Sequence, residues 1–131
     1  MAEIIHIKPH QRSANTAQTP GMVRQAGIAP DMCGSKGLWV GFVSTPPGTA
    51  SGSHHHGDAE SAIFILRGQV RFYYGEKLER TIIAEPGDFL YVPPQAVHVE
   101  ENLSTTEPVE FIVARNSTDI LVVNVPDPRG G

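Results

Sequence analysis

Short apolar or alternating runs separated by glycine and proline dominate this chain. They lie at Leu38–Val43, Ala62–Leu66, Val70–Tyr74, Phe89–Val92, Glu110–Ala114 and Ile120–Val125. Within Val70–Tyr74 the apolar residues Val70, Phe72 and Tyr74 recur with period two, the spacing of one face of a strand. No stretch of ten or more residues combines a sustained 3.6 period, a helix start signal and freedom from Pro and Gly, so residues 10–27 hold at most a helical turn. Thirteen glycines and eleven prolines are scattered along the chain instead of gathered in one linker, as turns between many short strands require. The pattern predicts an all-β fold, a sandwich or closed barrel of antiparallel strands without crossover helices.

At 131 residues and 40% hydrophobic content the chain supports one core, and we expect one folding unit. The expected division is an N-terminal arm with the first strands over 1–37, packed on or swapped with the barrel, a barrel core over 38–125, and a flexible tail over 126–131. The polar segment His10–Gly21 reads as an extended arm or loop. A net charge of −4 and the lack of any Lys/Arg cluster argue against a nucleic-acid partner. No run approaches the roughly 18 apolar residues of a membrane helix, and the start MAEIIHIKPHQRS lacks a secretory apolar core. We therefore expect a soluble, cytoplasmic protein that does not engage a membrane. The lone Cys33 has no partner for an internal disulfide or a thiolate metal site and reads as an ordinary thiol.

Four of the six histidines fall in two places, His54-His55-His56 and His98. On a strand, residues i and i+2 share a face, so His54 and His56 point inward together while His55 looks out. Two imidazoles on one face make half of a site for Zn, Cu, Fe or Ni, and a carboxylate would extend the choice to Mn. Glu60, four residues beyond His56, is within reach of the same ion, and His98 would arrive from another strand. Spacing alone is equally compatible with an exposed polar loop and a core histidine.

The surrounding residues decide between these readings. Gly48-TASGS-His54-His55-His56-GDA-Glu60-SAIFILR-Gly68 resembles the first motif of the cupin superfamily, and Gly87-DFLYV-Pro93-PQAV-His98-VEE-Asn102 resembles the second. The likeness covers roughly residues 38–114. It implies a single cupin, or jelly-roll, β-barrel of two facing antiparallel sheets around one divalent metal ion (Zn, Fe, Mn or Ni) held by His54, His56, His98 and Glu60. Two positions depart from the pattern. Gln95 stands where the second motif has glycine, a turn position that favours positive φ. In the first motif, counting back from Gly68 puts Ser61, not Glu60, at the acidic position; both anchors fit only if the strand carries an extra residue in a bulge. Without one, Ser61 faces the cavity, and water, His55 or His6 completes the site. Glu100 shares strand parity with His98 and is either a partner of the site or a strand end at the rim. Asn102 is positioned to close the turn after that strand.

The resemblance implies a metal-dependent enzyme acting on a small aromatic or dicarbonyl substrate, by dioxygenase, isomerase or polyketide-cyclase chemistry. The alternative is a non-catalytic binding or sensing module that uses the metal to hold a small ligand. Trp39, Phe42, Phe64, Phe72, Phe89 and Tyr91 fall on predicted strands, and a few of them are expected at the cavity mouth. Exposed sheet edges make a homodimer the expected assembly.

Overall fold

The computed structural model describes residues 2–119 and 122–130. After a 3₁₀ turn at Pro9–Gln11 the elements are β1 (Val23–Ile28), a single helical turn α1 (Pro30–Cys33), β2 (Trp39–Thr45), β3 (His54–His55), β4 (Ser61–Arg67) and β5 (Val70–Tyr74). They continue with β6 (Arg80–Ala84), β7 (Phe89–Val92), β8 (His98–Asn102), β9 (Val109–Arg115) and β10 (Val123–Asn124). Among the described residues these strands form two five-stranded sheets, in the orders β1-β2-β9-β4-β7 and β10-β3-β8-β5-β6. Every pairing is antiparallel. The fold is a jelly-roll barrel, as expected.

The alternating runs become the walls of the core. β2 and β9 bury every second residue, so Val43, Val109, Phe111 and Val113 point inward to meet Ile63 and Ile65 of β4 and Val70 and Phe72 of β5. Burying side chains of this size contributes about 1.5–3 kcal/mol each. Gly41 is required by a neighbour: a Cβ there would collide with the Trp39 ring.

Two strands escape the apolar pattern for identifiable reasons. β6 is the outer strand of its sheet and buries only Ala84, so Arg80 and Thr81 are tolerated along it. β1 turns the charged Arg24 inward beside Ala26, which removes the apolar alternation that would have marked it. Of the predicted strand 120–125, residues 120 and 121 lie outside the described residues, and only Val123–Asn124 pair, against β3. In the C-terminal segment the Arg129 guanidinium stands 5.0 Å from the centre of the Tyr73 ring on β5.

β4 carries the extra residue considered for the first motif, but beyond the segment that matters. Its pairing with β9 runs in step from Ser61↔Arg115 to Ile65↔Phe111 and then slips, so that Leu66 is the bulged residue. The uninterrupted register from Ser61 to Ile65 sends Ser61, Ile63 and Ile65 to the same buried side. Glu60 therefore faces out.

Candidate metal centre

His54 and His98 are direct partners across β3 and β8. Both are held by hydrogen bonds within their own loops: Nδ1 of His54 meets the Gly52 carbonyl at 2.8 Å, and Nδ1 of His98 meets the Ala96 carbonyl at 2.9 Å. A carbonyl only accepts, so each Nδ1 carries the proton and each Nε2 presents a lone pair. Both Nε2 atoms are sealed from solvent and have no hydrogen-bond partner among the described residues. His56 is buried beside them, with ring centres 5.1 Å from His54 and 5.4 Å from His98. One nitrogen from each of His54, His56 and His98 lies within 4.8 Å of the others.

The two loops that deliver these ligands are clasped together. Gln95 adopts φ 65°, the left-handed conformation usual for glycine at this position of the motif. Its backbone N–H donates to the Gly57 carbonyl at 2.7 Å and its side-chain amide to Asp58 at 2.6 Å. The turn leading into His98 is thus tied to the turn leaving His56. Asn102 closes the far end of β8, donating to the carbonyls of Thr45 and Glu107 and accepting from the Ser104 N–H.

The carboxylate beside the histidines is Glu100. It is 2% exposed, with Oε2 at 3.5 Å from His54 Nε2 and Oε1 at 3.7 Å from His98 Nε2. Glu60 does not join them. It is exposed, accepts a hydrogen bond from the Tyr91 hydroxyl at 2.8 Å, and is held outward by the Asn116 side-chain amide at 2.9 Å. His6 is exposed, and His55 accepts from the Gly57 N–H at 3.0 Å, so neither lies in the cluster.

The electrostatics keep the donors of His54 and Glu100 unprotonated at neutral pH. Burial pushes His54 down to about 4; Glu100 pulls it up, and His98 and Arg24 push it further down. At neutral pH its imidazole is uncharged and its lone pair is available. For Glu100, burial opposes ionisation, but the attraction of His54 and His98 when they carry a proton, and of the Arg24 guanidinium, outweighs it and holds the carboxyl below the usual carboxylate range. Three imidazoles with a buried carboxylate, several of their donor atoms lacking partners, are a donor set suited to a first-row divalent ion.

Two openings adjoin the cluster. On the His98 side lies a largely apolar cavity of about 280 Å³, walled by Phe72, Tyr74, Leu90, Val92 and Pro93, with Tyr91 at its mouth. Of the six aromatic residues considered from sequence, only Phe72 and Tyr91 line it. Phe64 and Phe89 stack on each other at 4.7 Å, Phe42 lies under Arg12, and Trp39 lies under Arg115. On the His56 side a narrow gap is lined by Arg24, Ser61, Glu100 and Arg115. These two buried arginines escaped sequence reasoning. For Arg115 the signal was present, because it continues the inward parity of Phe111 and Val113.

The family model of the cupin domain matches residues 41–115. The chain belongs to the cupin domain family. Its fold superposes with a TM-score of 0.72 on an oxalate oxidase in complex with the substrate analogue glycolate, at 20% identity, covering 87% of this chain and 60% of that one. The polyketide cyclase RemF from Streptomyces resistomycificus gives a TM-score of 0.72 at 18% identity, covering 98% of this cupin and 90% of the cyclase. Oxalate decarboxylase from Bacillus subtilis gives 0.71 at 22% identity, covering 82% and 28%. This cupin spans about 60% of the length of the oxalate oxidase. No curated protein sequence matches it. No helix among the described residues is long and apolar enough to cross a membrane.

Proposed function

We propose that this cupin is a metal-dependent enzyme acting on a small aromatic or dicarbonyl substrate. The observation that carries the reading is the placement of the histidine cluster at the foot of the apolar cavity, with His98 belonging to both. His54, His56 and His98 would hold the ion, with Glu100 as an anionic fourth donor; its depressed pKa makes it a weak proton acceptor at neutral pH and a good ligand. A divalent ion bound there supplies a Lewis acid that polarises an oxygen of the substrate. Phe72, Tyr74 and Leu90 exclude water and offer flat apolar contact to a ring. The likeness to RemF over nearly the full length of both chains supports cyclase chemistry, and the likeness to oxalate oxidase supports oxidase chemistry on the same scaffold.

Elemental analysis of protein purified without added metal should find about one equivalent of Zn, Fe, Mn or Ni. Incubation of that protein with a catechol and with a β-diketone, followed by oxygen consumption and mass spectrometry, should give product. Ligand-raised melting without product would favour a binding or sensing module instead, and failure to take up any divalent ion would overturn both readings. We also propose a homodimer, supported by the exposed apolar side chains Ile83, Phe89 (78% exposed) and Tyr91 on the outer strands β6 and β7. A monomeric mass in sedimentation at micromolar concentration would refute it.

A further inference from the structure

Beside the histidine cluster the barrel holds a positive charge that the metal centre does not use. Arg115, at the end of β9, is 4% exposed, and its Nε is shielded from solvent with no hydrogen-bond partner among the described residues. Its guanidinium lies 4.4 Å from the centre of the Trp39 ring, a cation–π contact that offsets only part of the cost of burial. Its register partner on β4 is Ser61, whose buried hydroxyl also lacks a partner among the described residues. Both residues line one gap, together with Arg24, His56 and Glu100.

The charges around that gap do not balance. Arg24 is buried as well, although it spends hydrogen bonds on Thr19 Oγ1 at 2.8 Å and the Ala17 carbonyl at 3.4 Å. Burial lowers Arg115 to about 9, with Arg24 adding to the shift and Glu100 opposing it, so the guanidinium stays protonated at neutral pH. Two guanidiniums thus face one carboxylate, before any metal adds positive charge. An interior with that excess and spare donors is built for an anion. The gap has about 10 Å³ of free space, room for one oxygen-sized atom.

We propose that Arg115 and Ser61 form an internal oxyanion subsite that receives one carboxylate-type oxygen of the substrate. The identity of the occupant rests on the enzyme reading above; the subsite itself does not need the metal. It restricts the substrate class to molecules carrying an anionic oxygen within reach of the histidine cluster, in a gap that shares Val92 with the apolar cavity.

Thermal melting of the purified full chain against sodium formate, with sodium chloride at equal ionic strength as control, tests this directly. Formate should raise the melting temperature in a saturable manner and chloride should not. Ser61→Ala should weaken the formate dissociation constant about tenfold, the effect of one hydrogen bond to a charged group. Arg115→Met should abolish the shift, and both variants should keep the wild-type metal content by elemental analysis. Where Arg115→Met fails to fold, Ser61→Ala decides. Equal shifts from formate and chloride, or a formate response unchanged by Ser61→Ala, would overturn the subsite. So would a response that disappears when a chelator removes the metal, because formate would then be bound to the ion. Loss of metal binding with the formate response intact would instead refute the metal-enzyme reading alone.

Discussion

His54 and His98, forty-four positions apart in the chain, are held by the same local device: each hydrogen-bonds through Nδ1 to the carbonyl two residues before it, and the two face each other across β3 and β8. The device sets the tautomer and aims both Nε2 atoms, so the ligands are oriented before any ion arrives. Binding then costs little side-chain ordering.

His98→Ala should lower metal affinity by at least about 100-fold, more than the 10–100-fold typical of losing an outer hydrogen-bond partner. Metal content after dialysis against a weak chelator measures this. Retention of a full equivalent would show that the ion, if bound, sits elsewhere.

Glu100 and Glu60 separate cleanly. Glu100→Gln keeps the shape but removes the charge beside His54 and His98, and should weaken metal binding by roughly 10–100-fold. Glu60→Gln disturbs only the exposed contacts to Tyr91 and Asn116 and should change stability by less than about 1 kcal/mol, with metal content unaltered. Competition with a chromogenic chelator distinguishes the two.

The metal-free protein should lose stability as pH falls from about 6.5 to about 4. His54 titrates at about 4 in the folded protein against 6.5 ordinarily, so across that window the unfolded chain binds more protons and stability rises with pH. The ceiling is about 3 kcal/mol from this residue. Glu100, also depressed, acts with the same sign lower in the acid range. Urea midpoints at pH 4, 5, 6 and 7 should follow this slope, and a flat profile would mean that His54 is not buried in its neutral form.

Gln95→Gly should leave stability within about 1 kcal/mol, because relief of the left-handed backbone is offset by loss of the bond to Asp58. Gln95→Val, with a branched Cβ in the same conformation, should cost about 2 kcal/mol. Urea denaturation of both variants reads the difference.

Much of the site was legible because its signals are local. The alternation read from sequence continues one residue past β3, which ends at His55: His54 and His56 are buried and His55 is only half-buried. Val70–Tyr74 and Phe89–Val92 matched their predicted bounds because they are bounded by glycine or proline turns. β1 and β6 were not legible, since an inward arginine and an outer-strand position remove the alternation on which such reading depends.

The sequence by itself determined an all-β chain with His54 and His56 on one face, because period-two alternation and i, i+2 spacing are properties of a single strand, and the resemblance of its two motifs brought in His98. Tertiary structure decided which acidic residue accompanies them. Glu60 precedes β4, and its direction depends on how Ser61 registers with Arg115, a partner far along the chain; that register sends Glu60 out and places Ser61 beside a buried guanidinium. Glu100 enters because β8 pairs with both β3 and β5, which closes the barrel around it. Register between distant strands is a global property of the closed barrel, and no local run of residues contains it.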